Sequence, residues 1–173
     1  MKIATETVQK LIITGVQSLD PIAVYLEDQG PECGKVTITC FNDSWSYFWG
    51  AMGKGNTIRS FLLKCDEHYL AGKFAPGLDA EEVHLEGIVE HTRKEILAQR
   101  RRDDMPKSEA RKFWDEADEL DGAVDSRALF DRHGEIMFEV FGDEWWYCLP
   151  QRPNHKYEYL CRIINTVKEA LAK

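Results

Sequence analysis

Apolar residues along this chain recur with two different periods, and each period predicts a kind of element. From Ile22 to Glu27 every second residue is apolar, with Ile22, Val24 and Leu26 on one side, which predicts a strand. Ahead of it, residues 5–17 read TETVQKLIITGVQ, with Val8, Leu11, Ile12 and Val16 on one face behind Thr5 as a cap. That spacing predicts a short helix, ended by Leu19-Asp20-Pro21. The segment QGPECG after the strand reads as a loop.

Two stretches echo one another, FNDSWSY at Phe41–Tyr47 and FGDEWWY at Phe141–Tyr147. A two-residue hairpin loop fixes which residues stand opposite each other. With Asn42-Asp43 as the loop, Cys40 faces Trp45, Ile38 faces Tyr47 and Val36 faces Trp49, while Thr37, Thr39, Ser44 and Ser46 fall on the other face. With Gly142-Asp143 as the loop, Val140 faces Trp145, Phe138 faces Tyr147 and Ile136 faces Leu149. The second hairpin also carries Met137, Phe141, Trp146 and Cys148 on its outer face, which predicts cover on both sides. The aspartates read as turn formers and the Trp and Tyr residues as cross-strand core.

Each predicted hairpin leads into a helical pattern. Ile58, Phe61, Leu62, Cys65 and Tyr69 form a stripe after Asn56 as a cap, and Leu160, Ile163, Ile164, Val167, Ala170 and Leu171 form another after Asn154. The expected fold is therefore α+β, an antiparallel sheet of about five strands built from two hairpin-plus-helix units. Internal duplication and coincidence both account for the echo.

Between the two units, residues 76–131 read as an acidic helical insertion within a single domain spanning residues 1–173. A long helix is expected from Leu78-Asp79, with Leu85, Ile88, Val89, Thr92 and Ile96 inward, ending at Arg100-Arg101-Arg102-Asp103-Asp104. A second follows Pro106 with Ala110, Phe113, Trp114 and Ala117 inward, and the two form an antiparallel pair. Gly122 closes it, and Arg127–Arg132 add a last helical turn.

Charge sharpens that picture. Residues 76–131 carry 16 Asp and Glu against 9 Lys and Arg, a balance of −7 within a chain total of −8. Such a field keeps a protein soluble and repels nucleic-acid backbone overall. Arg100, Arg101 and Arg102, near Lys107 and Arg111, are the exception, and they keep a nucleic-acid-binding reading as an alternative. No stretch approaches a membrane span and the N-terminus lacks a signal-peptide pattern, so a cytoplasmic protein with no membrane partner is expected.

Chemistry is harder to find. Five cysteines without a C-x-x-C pair read as reduced thiols. Cys65 with His68, and His84 with His91 and Glu95 on the long helix, have ligand-compatible spacing but too few donors for a zinc site, so no metal and no cofactor are expected. There is no G-x-S-x-G, H-E-x-x-H or P-loop. A Cys65–His68 dyad supports a second alternative, a small hydrolase or transferase with a pocket beside the first hairpin.

The block TITCFNDSWSYFWGAMG, followed by FLLKCDEHYLAGKF, resembles small accessory proteins of tailed phages and lambdoid prophages, mainly over residues 35–74 and the C-terminal helix. The resemblance implies no catalytic residues, and it implies a setting in which short proteins act by binding host or phage proteins. The expected function is thus non-enzymatic binding of a host or phage macromolecule, with modulation of host machinery or defence as its purpose. Candidate interaction residues are Glu86, Glu90, Arg100, Arg101, Arg102, Asp115, Glu119 and Trp146. A protein partner is expected ahead of nucleic acid, and a homodimer is left open.

Overall fold

A computed structural model describes residues 1–3, 5, 7–123 and 125–173. The chain divides into two compact units, one formed by Met1–Ala80 with Asn154–Lys173 and the other by Glu81–Pro153. Each has its own apolar core. The fold is α+β, and the described residues form a four-stranded antiparallel sheet, a separate two-stranded sheet and six α-helices. The expected single sheet of about five strands is therefore corrected to these two sheets.

In the first unit the strands β1 (Gln9–Ile13), β2 (Ile22–Gly30), β3 (Cys33–Cys40) and β4 (Asp43–Trp49) lie in sequence order. The alternation in β2 behaves as expected, with Ile22, Val24 and Leu26 buried. Val36, Ile38 and Cys40 of β3 are buried beside them. The helix expected over 5–17 is a strand instead where its apolar residues lie. Gln9 pairs with Leu26 and Ile13 with Ile22, so Leu11 and Ile13 turn toward the core while Val8 and Ile12 are exposed. The unpaired backbone of β2 supplies hydrogen bonds to an adjacent segment, and that outweighs a weak helical stripe. Residues 4 and 6 of that stretch lie outside the described residues.

The first hairpin exists, but its loop is Phe41-Asn42. Ile38 faces Trp45, Val36 faces Tyr47 and Gly34 faces Trp49, a shift of two residues from the expected pairing. A shift of two keeps every side chain on its face, so the predicted sorting of core and outer residues holds. The cause is Gly34. Trp49 there stands opposite a residue with no side chain, and Gly34 itself is closely packed. A Cβ at Gly34 would come 2.9 Å from the Glu27 carbonyl oxygen and 3.0 Å from Ile58 Cβ. Phe41 takes the left-handed φ of 52° at the first loop position, the sign that primed hairpin turns require.

The stripe from Ile58 to Tyr69 is two helices, α1 (Ile58–Lys64) and α2 (Glu67–Phe74). Asp66 accepts from the Tyr69 backbone N–H at 2.8 Å and caps α2. A competing N-cap inside a helical pattern ends one helix and starts another. Thr57, not Asn56, caps α1, in a capping box with Ser60. Asn56 instead donates to the Met52 carbonyl at 2.7 Å. The last helix, α6 (His155–Leu171), has Asn154 as its cap and buries Leu160, Ile163, Ile164, Val167 and Leu171, as expected. Arg59 Nε donates to the Leu171 carbonyl at 3.0 Å, and Lys168 donates to the Cys65 carbonyl, so α1 and α6 each satisfy the other's C-terminus.

In the second unit β5 (Glu81–Val83) pairs with β6 (Gln151–Pro153). Between them lie α3 (Ile88–Arg102), α4 (Lys107–Glu116) and α5 (Ser126–Phe141), with 3-10 turns at Leu85–Gly87, Ala117–Leu120 and Trp145–Cys148. The helix expected from Leu78 begins only at Ile88. It ends where expected, with Asp103 in the left-handed region at φ 58°. The helix after Pro106 is present, with Ala110, Phe113 and Ala117 buried.

The second hairpin does not exist. Asp125 accepts from the Ala128 backbone N–H at 2.7 Å to start α5, and Gly142 ends it at φ 83°. Leu129, Ile136, Met137 and Val140 are buried at helical spacing. Ile136 and Val140, which suggested alternation, are also one helical turn apart. Arg127–Arg132 are the first turns of this helix, not a final one. Trp145 and Tyr147 sit on the following 3-10 turn, the first buried and the second exposed. The echo of residues 41–47 at 141–147 is thus not a structural repeat, being a hairpin in one place and a helix end in the other.

Candidate acidic interaction groove

Helical periodicity in the second unit assembles a concave surface from three segments. On α4 it places Glu109, Lys112, Phe113 and Glu116 on one flank, and on α5 it does the same for Arg132, Glu135, Ile136 and Glu139. Together with Glu119 and His133 they line a groove of about 510 Å3. Phe113 and Ile136 are buried and form its floor. Five carboxylates face two fixed cations, Lys112 and Arg132. Lys112 lies 3.7 Å from Glu116. Among the described residues Glu109, Glu119, Glu135 and Glu139 have no cationic partner within 4.0 Å.

That arrangement opposes stability. Glu135 and Glu139 are like charges one turn apart, and Glu116 and Glu119 crowd the facing wall. The wider field reinforces it. Residues 81–153 hold 19 Asp and Glu against 11 Lys and Arg, a net −8 that equals the charge of the whole chain. The first unit is balanced.

Of the residues singled out from sequence, Glu119 alone lies in this groove. Glu86 pairs with Arg152 at 2.6 Å and Glu90 with Lys94 at 3.1 Å, so both carboxylates are occupied. Arg100 donates to the Met105 carbonyl across the α3–α4 connection. Arg102 bridges Asp104 at 2.8 Å and Glu95 at 3.0 Å, and those hydrogen bonds raise its pKa. Arg101 is exposed on the same helix end. Asp115 lines a separate, smaller groove between α3 and α4, with Arg100, Arg111 and Trp114. Trp146 is 45% exposed and packs edge-on against buried Trp145 at 6.0 Å.

The chemistry considered at Cys65 and the histidines is rearranged by the fold. Cys65 sits at the break between α1 and α2. Burial, then the neighbouring Asp66 carboxylate, pushes its thiol pKa up, with Lys168 opposing. A raised pKa keeps the thiol protonated, the reverse of what a nucleophile needs. His68 instead meets the Tyr157 hydroxyl at 2.8 Å. His84 precedes the 3-10 turn and donates its backbone N–H to the Pro150 carbonyl at 2.7 Å. It does not share a helix with His91, whose Nε2 donates to the Cys148 carbonyl at 2.7 Å. Among the described residues no group of three or more His, Cys, Asp and Glu side chains has metal-holding geometry.

Glu135 and Glu139 escape the sequence reading because strands were expected over 136–149, and Glu109 escapes it because its helix was expected but not the packing of α5 beside it. Asp125 and Gly142, a cap and a stop that enclose the sixteen residues of α5, were the available signal. A sequence model described as a phage family matches residues 1–173. No curated protein and no solved structure matches.

Proposed function

The chain belongs to this phage family, and from that premise we propose that it acts without chemistry of its own, binding a basic segment of a host or phage protein in the groove between α4 and α5. The observation that carries this reading is the set of unpaired carboxylates over an apolar floor. Glu109, Glu119, Glu135 and Glu139 repel one another in the free protein, and a Lys- or Arg-rich segment would relieve that repulsion. Phe113 and Ile136 offer apolar contact to the stems of the same long side chains. The purpose proposed for such capture is modulation of host machinery or defence.

The test is capture from bacterial lysate by the full chain, compared with a Glu119→Lys, Glu135→Lys, Glu139→Lys triple variant. The reading expects a basic partner whose association slows in the variant and depends less on salt. An equal yield of the same partner from both proteins, or capture of nucleic acid alone, would defeat it.

A further inference from the structure

The flank of α4 turned away from the acidic groove has the opposite charge pattern. Five Lys and Arg residues of the second unit have no carboxylate within 4.0 Å among the described residues, namely Arg100, Arg101, Lys107, Arg111 and Arg132. Three of them, Arg100, Lys107 and Arg111, line the groove between α3 and α4, a cavity of about 390 Å3, against the single carboxylate of Asp115. The groove is thus net positive inside a unit that is strongly acidic.

Its two ends differ in chemistry. The helices run antiparallel, with Arg100 donating to the Met105 carbonyl at their connection and Arg93 donating to the Trp114 carbonyl at 3.2 Å farther along. Arg100 and Lys107 therefore stand at the connection end, Arg111 one turn along α4, and Trp114 with Asp115 one turn beyond that. Ile96 and Ala110 are buried beneath, and Leu97 is exposed on the wall. Arg93, outside the lining, sits over the Trp114 ring at 4.8 Å. It holds the indole in place, and its charge disfavours a cationic ligand there.

Cations at one end and an aromatic, apolar wall at the other match a ligand that joins a phosphate chain to a planar ring. We propose that this groove is a purine nucleotide site, with the phosphates on Arg100, Lys107 and Arg111 and the base against Trp114 and Leu97. Guanidinium groups suit phosphate oxygens through paired hydrogen bonds, and a base stacks on an indole. Asp115 has no cationic partner within 4.0 Å among the described residues. It repels phosphate from the ring end and is free to accept from base N–H groups. Size and surroundings disfavour longer anions. The volume is that of a small-molecule site, and Asp103 and Asp104 in the connection, with Asp118 one turn past Trp114, oppose a nucleic-acid backbone or an acidic helix running on past either end. The site lies across α4 from the groove proposed for a protein segment and does not depend on it.

The experiment is isothermal titration calorimetry on the full chain with ATP and GTP, each compared with its nucleoside and with inorganic tripolyphosphate. At least one of the two nucleotides should bind about tenfold or more tightly than either of its fragments. Arg111→Glu should weaken that binding about tenfold or more, while Arg127→Glu, an equal charge change at an exposed position on α5, should leave it unchanged. Trp114→Leu should bring the nucleotide down to the level of tripolyphosphate and leave tripolyphosphate itself unaffected. Four results would each overturn the proposal: neither nucleotide binding, tripolyphosphate binding as tightly as the nucleotide, indifference to Arg111→Glu, or tighter binding of a single-stranded oligonucleotide or a polyglutamate peptide. Circular dichroism matching the parent secures that the variants are folded, and the exposed Arg111 keeps the test decisive if Trp114→Leu unfolds.

Discussion

The indole Nε1 of Trp49 donates to the Tyr69 hydroxyl at 3.0 Å, joining the last residue of β4 to α2 inside a cluster of Tyr47, Phe61 and Phe74. Trp49 is buried and Tyr69 is its acceptor, so removing the hydroxyl leaves the indole N–H without the partner the fold provides. Tyr69→Phe should therefore destabilise the protein by about 1–3 kcal/mol, the cost of an orphaned buried donor. Urea denaturation measures it, and an unchanged midpoint would show that the indole finds another acceptor.

Thr92 presents the converse case. It is fully buried on α3, and its hydroxyl has no hydrogen-bond partner among the described residues. Thr92→Val keeps the shape and removes the unpaired group, so it should stabilise by about 1–2 kcal/mol. A lower melting temperature would contradict this.

Two glycines should respond to alanine in opposite directions. Gly34→Ala forces a methyl group against the Glu27 carbonyl and Ile58, within 2.9 and 3.0 Å, and should destabilise by about 1–3 kcal/mol. Gly134→Ala meets open space and should stabilise the isolated chain by up to about 1 kcal/mol. Chemical denaturation at low protein concentration distinguishes them.

Alkaline pH tests the contact between β3 and α6. The hydrogen bond to Cys40, with burial second, pushes the Tyr159 pKa from 10 up to about 12. A raised pKa means that the folded state holds the proton longer than the unfolded state. The stability this contributes is present below pH 10 and is lost as pH rises to about 12. Tyr159→Phe should make the decline over that window shallower, as followed by denaturation at stepped pH.

Thiol reactivity should follow exposure. Cys148 is exposed and Cys40 is buried, while burial raises the pKa of Cys65 and Cys161. Iodoacetamide at neutral pH should label Cys148 first and Cys40 last, read by peptide mass spectrometry. Early labelling of Cys65 would restore it as a candidate nucleophile.

What the sequence determined by itself was every element with one dominant local signal. The alternation of Ile22, Val24 and Leu26 made β2, and Asn154 with the stripe from Leu160 to Leu171 made α6. Pro106 placed α4, and the side-chain period of two fixed the inner face of the first hairpin even though its register slipped. The regional acidity was legible too, but which carboxylates converge was not, because convergence depends on how helices pack. Tertiary structure decided the segments where two signals competed. Residues 9–13 became a strand because β2 offered unpaired backbone beside them. The stretch from Ile136 to Val140 satisfied both periods, and burial of Leu129 and Met137 against α3 and α4 chose the helix. That single choice moved Glu135 and Glu139 onto the groove and Phe130 and Phe138 onto the opposite flank, since a helix sends neighbours 100° apart where a strand sends them to two faces.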